Sequence, residues 1–346
     1  AFAVSVLDFL ATPVQLGERT IHIGASIGIA SGTLIECTSS ELFRRADIAM
    51  YHAKMSGKGR ITHYDAELNS ARERKLAIEN QIRNGLERDE FEVWYQPIID
   101  ARSQKMSSVE ALVRWQHPSR GMIPPSSFIP LAEECGLIVP LGEWVLKTAC
   151  YQIKTWSLSR PTLGFIAVNV SAVQLGRGDF ATMVKKIIVE TGIQPESLEL
   201  EITESSVMSN LTSAIKSLSE LKALGVCLSI DDFGTGYSSL AYLQQLAVHK
   251  LKIDISFVRK ILVNSADALI VQAVIALGHS LGLEIIAEGV EELAQAKYLR
   301  FLQCDVMQGF LVSKPLPVNE IEAFLNSYEP LSIPVDDDGT AWLHSV

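Results

Sequence analysis

From residue 90 onward, short apolar runs alternate with longer segments of helical periodicity. Runs of this length, bounded by turn residues, are typical of buried strands. The predicted strands are Phe91–Tyr95, Ser107–Leu112, Phe165–Val170, Leu198–Ile202, Val226–Ile230, Lys250–Ile253, Glu284–Ala287 and Asp305–Gln308. The predicted helices are Ser126–Cys135, Leu141–Trp156, Phe180–Thr191, Leu211–Leu224, Ala266–Leu281, Glu291–Leu302 and Val318–Leu325. This alternation predicts an α/β fold, either a (β/α)₈ TIM-type barrel or a doubly wound open sheet.

Polar side chains fall at or near the carboxyl ends of these strands. They are Glu110, Asn169, Glu201, Asp231, Lys252, Glu288 and Gln308. In a barrel those ends converge on one face, where active sites lie, so their placement favours the barrel. A second acid, Asp232, follows Asp231 directly, and two adjacent carboxylates repel each other unless they are solvated, protonated or bound to cations.

The segment before the barrel is short. Ile21–Ala30 alternates like a strand, Leu42–Met55 has helical spacing, and Ile61–Tyr64 is a further short strand candidate. Residues 67–88 are charged with helical spacing and predict a connecting helix. We therefore predict an N-terminal part over 1–66, the connecting helix over 67–88, the barrel over 89–328 and a loose tail over 329–346.

The amino-acid composition limits the classes of function that this protein can have. With 48% hydrophobic residues the chain can form a sizeable core, and its net charge of −10 argues against a nucleic-acid partner. Five scattered cysteines without a CxxC pair are typical of reduced thiols. No apolar stretch long enough to span a membrane and no signal peptide is visible. We expect a cytoplasmic segment that makes no membrane contact itself. We also expect it to be part of a longer protein, which an upstream segment can anchor to a membrane.

Glu110 begins the motif Glu-Ala-Leu-Val-Arg-Trp, which resembles the Glu-Ala-Leu signature of the EAL domain family. Further motifs of that family follow in order, and the resemblance covers about residues 73–328. They begin at Tyr95 (YQPI), Val168 (VNVSAVQL), Leu200 (LEITES), Asp231 (DDFGTGYSSL), Leu251 (LKID), Ala287 (AEGVE) and Gln308 (QGFLVSKPL). One departure is Leu246-Ala-Val-His, where members often have Leu-Pro-Val-Asp.

The resemblance implies a metal-dependent phosphodiesterase that hydrolyses cyclic di-GMP to linear pGpG in bacterial second-messenger signalling. Two divalent cations roughly 3.5–4 Å apart can clamp a phosphodiester and activate water. Oxygen ligands suit Mg²⁺ or Mn²⁺, and the absence of a Cys/His cluster from the sequence argues against zinc. The resemblance further implies inhibition by Ca²⁺ and a homodimer formed through the EAL domain.

Site residues are assigned by the same resemblance. The metal ligands would be Glu110, Asn169, Glu201, Asp231, Asp232 and Glu288, with Asp231 shared by both ions. Lys252, which would hydrogen-bond the attacking water, is expected to be catalytic together with Glu110 and Glu288. Substrate contacts would come from Gln96, Arg114, Glu291 and Gln308. Glu204, Phe233 and Gly234 would couple the loop after Asp232 to the dimer.

Residues 1–66 resemble the C-terminal portion of a GGDEF (diguanylate cyclase) domain. The resemblance is carried by ASIGIA from Ala25 and RADIAMYHAKMSGKGR from Arg45. The signature loop of that family is missing from this chain, so we expect no cyclase activity here. Two alternatives to the phosphodiesterase stay open, a catalytically silent cyclic di-GMP receptor and an unrelated metal-dependent barrel enzyme of aldolase or enolase type.

Overall fold

A computed structural model of the chain describes residues 2–16, 19–21, 23–32, 37–55, 59–65, 78–160, 163–234 and 240–331. Two compact units adjoin in sequence at Gln81 and Ile82. Of the predicted connecting helix, residues 78–87 are helical and form α3, whereas 67–77 lie outside the described residues, as does the predicted tail from residue 332.

The first unit is small. Its elements are α1 (Phe2–Ala11), β1 (Val14–Leu16), β2 (Arg19–Ile21), β3 (Ile27–Ile29), α2 (Ser39–Met55) and β4 (Ile61–His63). β1 and β2 pair antiparallel, and β3 pairs parallel with β4. A Cβ on Gly28 would lie 2.0 Å from the backbone oxygen of Ala46, so only glycine lets α2 lie this close to β3. The prediction of one continuous strand from Ile21 to Ala30 is wrong, because residues 23–26 carry no strand.

The second unit contains a closed eight-stranded barrel, which confirms the predicted TIM-type fold. Its strands are β5 (Phe91–Asp100), β6 (Met106–His117), β8 (Phe165–Val170), β9 (Leu198–Thr203), β10 (Cys227–Phe233), β11 (Lys250–Ile253), β12 (Glu284–Ala287) and β13 (Val306–Gln308). A short ninth strand, β7 (Gly121–Ile123), extends the edge of β6. Neighbouring barrel strands are parallel except β5, which runs antiparallel to both β6 and β13.

Helices follow the strands as the sequence periodicity predicts. They are α4 (Pro125–Glu134), α5 (Ile138–Ser159), α6 (Ala172–Leu175), α7 (Phe180–Thr191), α8 (Glu204–Ser209), α9 (Leu211–Ala223), α10 (Leu240–Leu243), α11 (Ile255–Val258), α12 (Ser265–Ser280), α13 (Leu293–Phe301) and α14 (Val318–Ser327). A 3₁₀ turn, Pro195–Ser197, precedes β9. Helix α7 ends at Gly192, whose φ of 65° lies in the left-handed region that glycine adopts without strain.

Burial explains the apolar runs of the sequence. Strands of a parallel barrel are covered on both faces, so their outward residues pack against helices while their inward residues fill the barrel. Ile98, Ile286 and Val306 form a buried apolar cluster. The inward positions nearer the carboxyl ends of the parallel strands are polar instead, and this change of character locates the candidate site.

Among the described helices, none combines the length and the apolar character needed to cross a membrane.

Candidate active site

Strand register brings the polar side chains together. Partner residues on neighbouring strands point to the same side of a sheet. Asn169 on β8 lies opposite Glu201 on β9, and Gln96 on β5 lies opposite Glu110 on β6. The antiparallel β5 thus delivers Gln96 to the same end of the barrel as the acids.

A buried lysine occupies the middle of this end. Lys252 has no exposed surface. Its Nζ lies 2.6 Å from Glu201 Oε2, 3.4 Å from Asp231 Oδ1 and 2.5 Å from Glu288 Oε1. A buried ammonium requires such partners, since an unpaired charge in this environment is strongly destabilising.

Glu110 is held by two amides. The Nδ2 of Asn169 donates to its Oε1 and the Nε2 of Gln308 donates to its Oε2, both at 2.6 Å. The same Gln308 nitrogen also donates to Gln96 Oε1 at 3.0 Å. Asn169 presents its nitrogen here, and a half-turn of the amide would present the oxygen that a cation needs.

A second acidic group lies beside the lysine. One ligand atom from each of Asp231, Asp232 and Glu288 lies within 4.8 Å of the others. Asp232 has a φ of 56°, an uncommon conformation for a residue with a side chain, and its N–H donates to Asp231 Oδ1 at 2.9 Å. Strain of this kind tends to occur where function requires a specific geometry.

The charges of this cluster do not balance. Five carboxylates surround one ammonium group, and the carboxylate of Asp254 adjoins that of Asp232, which leaves five negative charges when all are ionised. Two divalent cations would neutralise four of these charges. The five acids are Glu110, Glu201, Asp231, Asp232 and Glu288.

The pKa values show the same imbalance. Burial and the charge of Asp231 raise the pKa of Glu288 to about 8 and that of Asp232 to about 6. Burial also raises the pKa of Glu201 well above its usual range. Burial acts in the same direction on Glu110, but the Lys252 charge and the two amides outweigh it and lower that pKa. The cluster therefore binds protons where cations are lacking.

The other predicted residues lie further out. Glu204 is buried and its Oε2 accepts from the N–H of Gly234 at 3.1 Å. Phe233 is buried at the end of β10, and residues 235–239 of the loop lie outside the described residues. Glu291 forms an ion pair with Arg259 at 3.0 Å.

Arg114 lies on β6 near the open end of the β5–β6 hairpin, opposite Glu92, and is half-buried. Its guanidinium carbon lies 5.7 Å from the centre of the Trp94 ring, and its Nη1 donates to the Val113 oxygen. Sequence reasoning missed Trp94, although strand alternation from Gln96 places it on the same face. It also missed Arg259, for which the sequence contains no signal.

A cavity of about 390 Å³ opens beside the cluster, between the end of β6 and helices α4 and α5. Asn169 and Arg114 contribute to its wall, and Asn169 also hydrogen-bonds Glu110, so the cavity adjoins the acidic site. Ligand cavities are typically roughly 300–1,000 Å³ and largely apolar. This one is therefore large enough for part of a nucleotide.

Residues 79–315 match the family model described as "EAL domain". The chain is 42% identical over 321 residues to the bifunctional diguanylate cyclase/cyclic di-GMP phosphodiesterase MucR of Pseudomonas aeruginosa, covering 93% of this chain and 47% of that protein. It is 39% identical over 316 residues to the cyclic di-GMP phosphodiesterase NbdA of the same organism, covering 91% and 40%. The chain thus spans less than half the length of these curated relatives.

Among solved structures, the cyclic di-GMP complex of the PaMucR phosphodiesterase matches with a TM-score of 0.69 and 43% identity, covering 71% of this chain and 99% of that one.

Proposed function

The chain belongs to the EAL domain family, and we propose that its barrel is a phosphodiesterase that hydrolyses cyclic di-GMP to linear pGpG. The observation that carries the proposal is the largely buried group of five carboxylates around Lys252, which carries far more negative than positive charge. A phosphodiester is anionic, so a negatively charged site can accept it only with bound cations. The names of MucR and NbdA and the ligand of the PaMucR structure support cyclic di-GMP as the substrate.

The donor set fits divalent cations. Its oxygens are hard ligands of the type that Mg²⁺ and Mn²⁺ prefer. Glu201 Oε1 is buried and has no hydrogen-bond partner in the described part of the chain, as expected of an atom that binds a cation. We propose that Glu110, Asn169, Glu201 and Asp231 hold one ion, and that Asp231, Asp232 and Glu288 hold the second. Such ions, when bound, supply positive charge to the phosphate oxygens and acidify water.

Side chains of the protein would position the attacking water and the substrate. Lys252 Nζ, fixed between Glu201 and Glu288, would hydrogen-bond the attacking water and orient it. Gln96 and Gln308 already hydrogen-bond each other and would contact the dinucleotide beside Glu110. Arg114 would pair with a phosphate, as guanidinium groups do. Glu291, which forms an ion pair with Arg259, would also contact the substrate.

The test is incubation of the chain with cyclic di-GMP and Mg²⁺ or Mn²⁺, with pGpG followed by chromatography. Glu110→Gln keeps the side-chain size but removes the charge, and we expect product formation to fall by at least ~10²-fold, as when a group that stabilises developing charge is lost. Ca²⁺ should allow binding without hydrolysis. Binding without hydrolysis in Mg²⁺ or Mn²⁺ would instead identify a silent receptor.

We further propose a homodimer through the barrel, supported by the outer face of α12. Leu269 and Ile270 on that helix are 65% and 37% exposed, and Val263 just before it is 85% exposed. Exposed apolar residues of this kind occur on interaction surfaces. Light scattering should show a dimer that Leu269→Glu converts to a monomer; a monomeric parent chain would refute the proposal.

For residues 1–66 we propose a GGDEF-like unit without cyclase activity, supported by the extension of the MucR similarity over 93% of the chain. Incubation with GTP and Mg²⁺ should yield no cyclic di-GMP. The domain limits at 66, 88 and 328 and the cytoplasmic location stay predictions.

A further inference from the structure

The β5–β6 hairpin carries a guanidinium group that has no counterion within the described part of the chain. Arg114 is half-buried, and its Nη1 donates to the Val113 oxygen at 2.8 Å. Among the residues that the structure describes, none forms an ion pair with this guanidinium group. An unpaired guanidinium group at the edge of a binding site is suited to an anionic substrate, because it can donate two parallel hydrogen bonds to a phosphate.

A carboxylate that could pair with this group is held elsewhere. Glu92 lies directly opposite Arg114 in the antiparallel ladder of β5 and β6. Opposite charges in such positions attract each other across the ladder, since their Cβ atoms are only about 4.5–5.5 Å apart. Here the Oε2 of Glu92 instead accepts a hydrogen bond from the indole Nε1 of Trp94 at 3.1 Å.

The ring of Trp94 also supports the guanidinium group. Trp94 lies opposite Leu112, so it is a diagonal neighbour of Arg114 on the same face of the hairpin. The guanidinium carbon of Arg114 lies 5.7 Å from the centre of the ring. This is within the distance of about 6 Å over which an aromatic face attracts a cation. A guanidinium group above a ring keeps the N–H groups of its edge free for a planar partner.

We propose that Trp94 is a positioning residue that keeps Arg114 available for a phosphate of the substrate. Its ring holds the guanidinium group at the wall of the cavity, and its N–H occupies the carboxylate of Glu92, which would otherwise pair with Arg114. This inference rests on the proposed hydrolysis of cyclic di-GMP and on the proposed contact between Arg114 and phosphate. It assigns no contact between Trp94 itself and the substrate.

The first experiment measures KM and kcat for cyclic di-GMP in Trp94→Leu, made in the full chain. Leucine removes both the ring and the N–H, so we expect KM to rise by ~2–30-fold, the range of one cation–π contact. The value of kcat should stay within about 2-fold of the parent, because the lost contact serves binding. Trp144→Leu is the matched control, since Trp144 on α5 is also half-buried but packs against Phe91, with ring centroids 6.4 Å apart. Its KM should stay within about 2-fold of the parent.

Two double variants distinguish positioning from plain structural support. If Trp94 acts through Arg114, Trp94→Leu combined with Arg114→Ala should have the same KM as Arg114→Ala alone, since one contact cannot be lost twice. Adding Glu92→Gln to Trp94→Leu should lower KM by ~1.5–5-fold, because the competing ion pair is removed. The same substitution in the parent chain, where the indole already holds the Glu92 side chain, should change KM by less.

An unchanged KM in Trp94→Leu would overturn the inference and leave the phosphodiesterase standing. Losses that multiply when Trp94→Leu and Arg114→Ala are combined would overturn it too, because Trp94 would then act independently of the guanidinium group. An equal effect of Glu92→Gln in both backgrounds would overturn the competition between Glu92 and phosphate.

Two further outcomes concern the protein as a whole. If circular dichroism shows that Trp94→Leu does not fold, Trp94→Phe takes its place in each comparison, since phenylalanine keeps a ring face and removes the N–H. If the parent chain binds cyclic di-GMP but makes no pGpG, the phosphodiesterase fails, and the same comparisons are made on Kd in Ca²⁺. A parent chain that does not bind cyclic di-GMP refutes both proposals.

Discussion

Replacing Lys252 with methionine tests the electrostatic reasoning about the site. Methionine keeps the length of the side chain but removes the charge that lies within 3.4 Å of Glu201, Asp231 and Glu288. Breaking a buried ion pair from one side costs about 3–5 kcal/mol, because the remaining charges lose their partner. For a unit of this size, each kcal/mol shifts Tm by about 2–4 °C. We expect Tm to fall by about 6–20 °C in EDTA.

Lys250→Met is the matched control. Lys250 is 7% exposed, and its Nζ lies 2.9 Å from both Glu199 Oε2 and Glu284 Oε2, two residues along β11 from Lys252. This variant should also be destabilised, because it removes a buried charge with two partners. Its response to Mg²⁺ should match that of the parent chain, since neither partner is a proposed metal ligand.

Thermal unfolding with and without Mg²⁺ or Mn²⁺ distinguishes the two variants. A ligand at 100 times its Kd stabilises a protein by about 2.7 kcal/mol. In Lys252→Met the site carries one more uncompensated negative charge, so the rise in Tm on adding metal should exceed that of both other chains. A Tm in EDTA equal to that of the parent, or the same metal-induced rise in all three chains, would refute the reasoning.

Three further predictions concern groups around the site and in the core. Glu204→Ala removes the acceptor for the Gly234 N–H, so the free energy of unfolding measured in urea should fall by about 1–3 kcal/mol; an unchanged midpoint would contradict this. Burial raises the pKa of Cys150 and Cys304 to about 12, so a thiol reagent at pH 8 should modify them only after unfolding, and rapid labelling of the native chain would count against the buried positions. Because the pKa of Glu288 is raised to about 8, this carboxyl is mostly protonated at pH 7 and a cation must displace the proton. Calorimetry in buffers of different ionisation enthalpy should detect proton release on Mn²⁺ binding at pH 7 that disappears above about pH 9, and metal affinity that is independent of pH would contradict it.

Local sequence patterns were sufficient to predict much of the fold. The eight strands, the long helices and the polar residues at the strand ends follow from periodicity, since a side chain's face depends only on its position in its own strand or helix. The order of the motifs along the chain likewise identified the EAL family. Where local signals were weak, the prediction was less accurate, as in the continuous strand expected from Ile21 to Ala30.

Tertiary structure decided which side chains meet. Gln308 reaches Glu110 and Gln96 across separations of 198 and 212 residues, and only closure of the barrel brings them together. The antiparallel direction of β5, which carries Gln96 to the acids, has no signature in the strand itself.

The same holds for Glu133 and Glu291. The sequence marks both as ordinary acids, but the fold places the first in a cavity beside the acidic cluster and pairs the second with Arg259. A sequence determines which residues can lie on one face of an element. Long-range register and packing determine which faces meet, and the pKa and the role of each charged group depend on that arrangement.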